Sequence, residues 1–177
     1  HILVASLSLL SNLDVKAALF LVGPLISLLL IPVIYLFINE VFSNPKIALL
    51  SCLVYSVTPT VVYYLSYPVA RSAAFLFFLS FLFILIRISK IKTTIDNTSN
   101  NLLLIIFGIA IVLFHSVSTV QFIIILIALV ILERVFHLNK CIHMYPILFL
   151  GTLFISYWSY IGTVFNQSIL RYVINVQ

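Results

Sequence analysis

The sequence predicts an all-α fold, a polytopic transmembrane helix bundle of about six membrane helices, some of them short or broken. Three observations predict it. Of 177 residues, 64% are hydrophobic and only 7% are charged, against roughly 25% charged in an ordinary soluble domain. Long runs carry no charge and no polar face, so lipid must serve as solvent. The nine lysines and arginines fall between those runs, where membrane helices carry their flanking cations.

The first span is read at residues 12–39, because residues 17–38 contain no charge and a hydrocarbon core about 30 Å thick needs roughly 20 apolar residues. Ser11-Asn12-Leu13-Asp14 before it has the form of a capping box, with Ser11 as the N-cap. Pro24 and Pro32 inside the span predict bending. A second helix is expected over 46–64, its regular part ending near Val57 because Thr58-Pro59-Thr60 interrupts it. Pro68 suits the first turn of a third helix over 68–89, which ends in Arg87 and Lys90. Residues 93–101 are markedly hydrophilic and read as a loop.

The apolar run 102–132 would span about 46 Å as one helix, too long for the core. Two shorter helices are expected instead, 102–114 and 119–134, broken at His115-Ser116-Val117-Ser118-Thr119. A last helix is read at 146–165. Counting cations supports the break: Lys46, Arg87, Lys90, Lys92, Arg134 and Lys140 then share one side, and Lys16, Arg71 and Arg171 the other. The positive-inside rule makes the richer side cytoplasmic. The loops bearing Asp14, Arg71 and His115 therefore face outward, in a multi-pass protein of the cell membrane.

The chain begins at His1 and stops after residues 169–177 without a terminal element, so it reads as a piece of a longer chain. The net charge of +5 is dispersed, which argues against a nucleic-acid partner and leaves membrane lipids as the expected surroundings. Cys52 and Cys141 are 89 residues apart and indicate neither a disulfide framework nor a zinc knuckle. His137, Cys141 and His143 have loose metal-ligand spacing but no fourth ligand nearby, so no metal site is assigned.

The order of the segments "SNLD", "GPLISLLLIPVIYLFINEVF", "NPKIALLSCLVYSVTPTVVYYLSYPVARSAAFLFFLSFLFIL" and "IAIVLFHSVSTVQF" resembles the membrane core of the GT-C glycosyltransferases. That superfamily holds the oligosaccharyltransferases, protein mannosyltransferases and lipid-A arabinosyltransferases, and the likeness is to archaeal members. It implies transfer of a sugar from a polyprenyl-phosphate donor at the outer face. Two departures stand out. The family's acidic external loop would lie before His1, and a divalent metal enters only if such a loop is there. Where many members carry an acidic residue, this chain has Ala70-Arg71-Ser72.

Each candidate site residue has a plainer structural reading beside the functional one. Asp14 is the only acidic residue on the outer side and is the candidate catalytic carboxylate, or simply a helix-start residue. Arg71 near a helix start suits a lipid phosphate through its guanidinium, or snorkels to ordinary headgroups. His115 would bind phosphate or move a proton, or serve as a hydrogen-bonded turn residue. Tyr63 and Tyr64, with Tyr67, Tyr157, Trp158 and Tyr160, would stack on a sugar or form an interfacial aromatic belt. Asn166-Gln167-Ser168 has the form of a glycosylation sequon. A transporter or permease with helices broken at Pro59 and His115, and a non-catalytic membrane scaffold, are the competing functional readings.

Overall fold

A computed structural model of the chain describes residues 2–59, 70–90, 94–136 and 144–175. Among these the structure is entirely helical: α1 (Ile2–Ser11), α2 (Val15–Phe42), α3 (Pro45–Val57), α4 (Ala70–Lys90), α5 (Thr94–Phe114), α6 (Ser116–Val135) and α7 (Met144–Asn175). Among the described residues, four helical segments are long and apolar enough to cross a membrane, Val15–Phe42, Ser72–Lys90, Val117–Val135 and Met144–Ile161. Pro45–Val57 and Thr98–Phe114 are apolar but shorter.

The surface is that of a molecule dissolved in hydrocarbon. Leu28 is 68% exposed, Leu113 61%, Ile124 59% and Leu148 62%, one outward leucine or isoleucine on each of four different helices. In water such faces would aggregate; against acyl chains they cost nothing. The core is correspondingly aromatic and tightly interlocked. Phe78, Phe81, Leu85, Leu104, Ile111, Phe122, Leu126 and Leu150 form one cluster drawn from α4, α5, α6 and α7. Phe78 on α4 stacks on Phe122 of α6 at 4.0 Å between centroids, and Phe77 meets both Phe107 and Phe114 of α5. Ile26 and Leu30 of α2 form a second cluster with Ala73 of α4, and Tyr55 of α3 packs on it.

Helix ends explain the connections. Ser43 closes α2 with φ 52°, its amide donating to the Asn39 carbonyl, and Asn44 then caps α3 through its side chain, accepting from Lys46 N at 3.0 Å and Ile47 N at 3.4 Å. Pro45 at the first position of α3 costs no hydrogen bond there. Lys90 at the end of α4 forms an ion pair with Glu40 near the end of α2, 3.1 Å apart, and also donates to the Glu40 main-chain carbonyl. The ends of α2 and α4 and the starts of α3 and α5 therefore share one end of the bundle. Asp14 before α2, the first turn of α4 and the α5–α6 turn lie toward the other.

At His115 the chain reverses. In a continuous helix residues 111 and 119 would be about 12 Å apart along the axis, yet the Thr119 hydroxyl reaches the Ile111 carbonyl at 3.5 Å as well as the His115 carbonyl at 3.3 Å. The run 102–132 is thus two helices joined by one residue, as its length predicts.

Four expected boundaries need correction. Residues Ile2–Ser11 form a helix of their own, and Ser11 is its last residue, donating its hydroxyl back to the Leu7 carbonyl. Asn12 follows with φ 54°, a left-handed position that asparagine tolerates. The proposed capping box is therefore absent: α2 starts at Val15, and Asp14 occupies the N-cap position without a side-chain capping bond. The polar stretch 93–101, expected as a loop, supplies the first two turns of α5 from Thr94 onward. At the other end α7 runs on to Asn175, since residues 164–175 contain neither glycine nor proline to stop it. Asn166 of the sequon lies inside this helix.

Candidate functional site

The α5–α6 turn is built by its own polar residues. His115, with extended backbone (φ −157°, ψ 88°), is the N-cap of α6, and its Nδ1 accepts from the Ser118 amide at 3.0 Å. An accepting Nδ1 carries no proton, so the neutral ring holds its proton on Nε2. That nitrogen is the one left to donate to something outside the turn. His115 is half-buried, and Thr119 and Ser118 beneath it are fully buried. Thr119 is satisfied by main-chain carbonyls, whereas the Ser118 hydroxyl has no hydrogen-bond partner.

Arg71 stands in the first turn of α4. Phe77, six residues further along α4, packs on Phe114 at 4.9 Å, which sets the start of α4 at the same bundle end as the His115 turn. Asp14 lies exposed at the start of α2 toward that end. Three of the candidate polar residues from distant parts of the sequence thus belong to one end of the molecule. Tyr63 and Tyr64 lie outside the described residues, as do Tyr67, His137, Cys141 and His143. On α7, Trp158 and Tyr160 point outward, and Phe154 packs on Trp158 with centroids 6.0 Å apart. This is the disposition of aromatic side chains that meet lipid. Among the described residues no three His, Cys, Asp or Glu side chains gather closely enough to hold a metal ion.

One feature was missed by reasoning from sequence. A groove of about 460 Å³ lies between α2 and α3, lined by Ile34, Leu50, Ser51, Val54, Tyr55 and Thr58. Ser51, Tyr55 and Thr58 have the spacing i, i+4, i+7, which places them on one helical face, and that spacing was the available signal. Cys52 on the next face donates its thiol to the Ile31 carbonyl at 3.5 Å, fixing the register of α3 against α2.

Comparison with protein-family models, curated proteins and solved structures finds no match, so what can be said of function rests on these residues and their geometry.

Proposed function

We propose that this chain is the membrane core of a glycosyltransferase of the cell membrane, one that takes a sugar from a polyprenyl-phosphate donor at the outer face, with His115 and Arg71 serving the donor phosphate. The observation that carries the reading is the His115 cap: with Nδ1 engaged by the Ser118 amide, the ring offers Nε2–H as a donor at the bundle end that also bears Arg71. Phosphate oxygens are matched by such donors, and a guanidinium adds a bidentate, permanently charged contact.

In the reaction, an acceptor hydroxyl or amide forms a bond to the anomeric carbon while the bond from that carbon to the phosphate oxygen breaks, its electron pair leaving with the phosphate. Donors aimed at that oxygen lower the barrier by stabilising charge as it develops. A base must take the acceptor's proton, and Asp14 is the carboxylate of this chain toward that end. The positive-inside rule, applied to the cation count, turns the end outward.

The test uses the full-length protein in liposomes with a polyprenyl-phosphate sugar. His115→Ala and Arg71→Ala should each weaken donor binding by about 10- to 100-fold, the worth of one hydrogen bond to a charged group. His115→Gln, which retains a donor, should recover part of the loss. Donor binding undiminished in both alanine variants, or absent from the folded parent, would sink the proposal.

A further inference from the structure

The N-cap of α6 is a histidine, and it caps in its neutral form. Serine, threonine, asparagine and aspartate are the usual caps, each offering an oxygen that accepts at any pH. His115 instead accepts with Nδ1, from the Ser118 amide at 3.0 Å, and a proton on Nδ1 turns that acceptor into a donor. Two N–H groups would then face each other across the bond, and the added positive charge would sit at the positive end of the α6 dipole. Protonation and capping therefore exclude each other.

The rest of the turn does not need the imidazole. The Thr119 amide donates to the His115 carbonyl at 3.2 Å and the His115 amide to the Ile111 carbonyl at 3.2 Å, while the Thr119 hydroxyl reaches both carbonyls. These bonds hold the reversal between α5 and α6 in either protonation state. A second acceptor is also at hand. Ser118 is the third residue of α6, and a side chain at that position reaches back toward the N-cap residue. Its hydroxyl is buried, with the residue 1% exposed, and has no hydrogen-bond partner. Buried hydroxyls are paired as a rule, so this one marks a partner that the neutral turn does not supply. The helices packed against the turn bring few charges to it. α4 carries Arg71 in its first turn, and α7 carries Tyr157, eight residues past the Phe149 that meets Gly108, as His115 is seven past that glycine. Tyr55 of α3 packs on the cluster that Phe114 also joins, and α2 contributes Asp14 and Lys16 at its exposed start. Glu133 and Arg134 of α6 itself are at its opposite end. Among the described residues at this end Asp14 is the one anion, and water screens it, so no buried carboxylate fixes the ring as imidazolium.

We propose that the α5–α6 turn is a proton-operated switch. With His115 neutral, Nδ1 holds the Ser118 amide and α6 is closed to its first residue. When the ring takes up a proton, Nδ1–H turns to the Ser118 hydroxyl oxygen, the amide is released, and the first turn of α6 opens while the reversal persists. The proton comes from water at the half-buried ring and returns to it, so nothing else is consumed. Histidine is the side chain suited to this, since imidazoles change charge between about pH 5 and 8. The cation count turns this end outward, which makes the external pH the signal. The inference stands on the cap and needs no sugar donor.

The experiment is hydrogen exchange of the full-length protein in lipid nanodiscs, mapped by mass spectrometry from about pH 5 to 8 and expressed as protection factors, which removes the intrinsic pH dependence of exchange. In the parent, protection of the first amides of α6 should fall about 5-fold toward the acid end, the worth of a lost cap, with the interior of α6 unchanged. His115→Asn, which caps through an oxygen and does not titrate, should hold its protection across the range. In Ser118→Ala the transition should begin at lower pH than in the parent, because the protonated ring has lost its acceptor. A flat parent profile, a His115→Asn protein that loses protection as the parent does, or a transition that Ser118→Ala leaves in place would each overturn the proposal. Imidazole nitrogen NMR of the same sample gives a second readout. At the alkaline end His115 should carry its proton on Nε2, and a proton on Nδ1 there would refute the cap on which the switch is built.

Discussion

Gly108 and Gly151 provide a paired test of how α5 and α7 pack. A Cβ built on Gly108 would lie 2.7 Å from Phe149 Cε1 and 3.4 Å from Leu150 Cδ2, whereas one on Gly151 meets nothing within 4 Å. Alanine in a helix is worth about 0.8–1 kcal/mol over glycine, and overpacking a tight contact costs about 1–3 kcal/mol. Gly151→Ala gains the first without the second, so it should leave stability unchanged or raise it by up to about 1 kcal/mol. Gly108→Ala must turn the half-buried Phe149 ring aside, and the two terms leave a net loss of about 0–2 kcal/mol. Gly108→Leu cannot be absorbed by a ring rotation; it should lever α7 away and loosen Ile147 and Leu150, which are buried in the main cluster. The assay is thermal unfolding of the purified full-length protein in detergent, followed by size-exclusion of the surviving fraction. The expected order of melting temperatures is Gly151→Ala, then parent, Gly108→Ala and Gly108→Leu. Equal responses at the two glycines, or a Gly108→Leu protein as stable as the parent, would refute the close α5–α7 approach.

Other consequences are as direct. His115→Ala removes the N-cap of α6 and should cost about 1 kcal/mol, visible as faster hydrogen exchange at the first amides of that helix, while His115→Asn should restore most of it. Asn44→Ala should cost α3 a similar amount through the loss of its bonds to Lys46 and Ile47, with Asn44→Asp neutral in the same unfolding assay. The Lys90–Glu40 pair is partly exposed, so a double-mutant cycle with Lys90→Met and Glu40→Gln should give no more than about 1 kcal/mol and shrink with added salt. Phe81→Ala empties a site that is fully buried and should be the most damaging of these substitutions, at about 3–5 kcal/mol, read as a loss of monodisperse protein.

Much of this architecture is legible because lipid imposes simple rules. A charge-free run of the right length must be a helix, and a run half as long again must break, so the turn at His115 follows from length and from the one polar cluster available to host it. The misread segments are those where polarity and helicity part company. Residues 94–101 are hydrophilic, which says that they leave the hydrocarbon, not that they leave the helix; Asn100 is even buried. Ser11-Asn12-Leu13-Asp14 has the pattern of a helix start, yet Ser11 closes a helix, because Ser-x-x-Asp is symmetric evidence at a junction between two apolar segments. Asn12 decided the matter by taking φ 54°. The Asn44-Pro45 step, by contrast, carries both an N-cap and a first-turn proline and marks the start of α3 without ambiguity.

The His115 turn and the α2–α3 groove differ in legibility for a related reason. His115 stands out in sequence because an ionisable group among apolar residues must be accounted for, and the cap accounts for one of its two nitrogens. Ser51 and Tyr55 do not stand out, since serine and tyrosine are common in membrane helices and usually bond back to their own main chain or reach the interface.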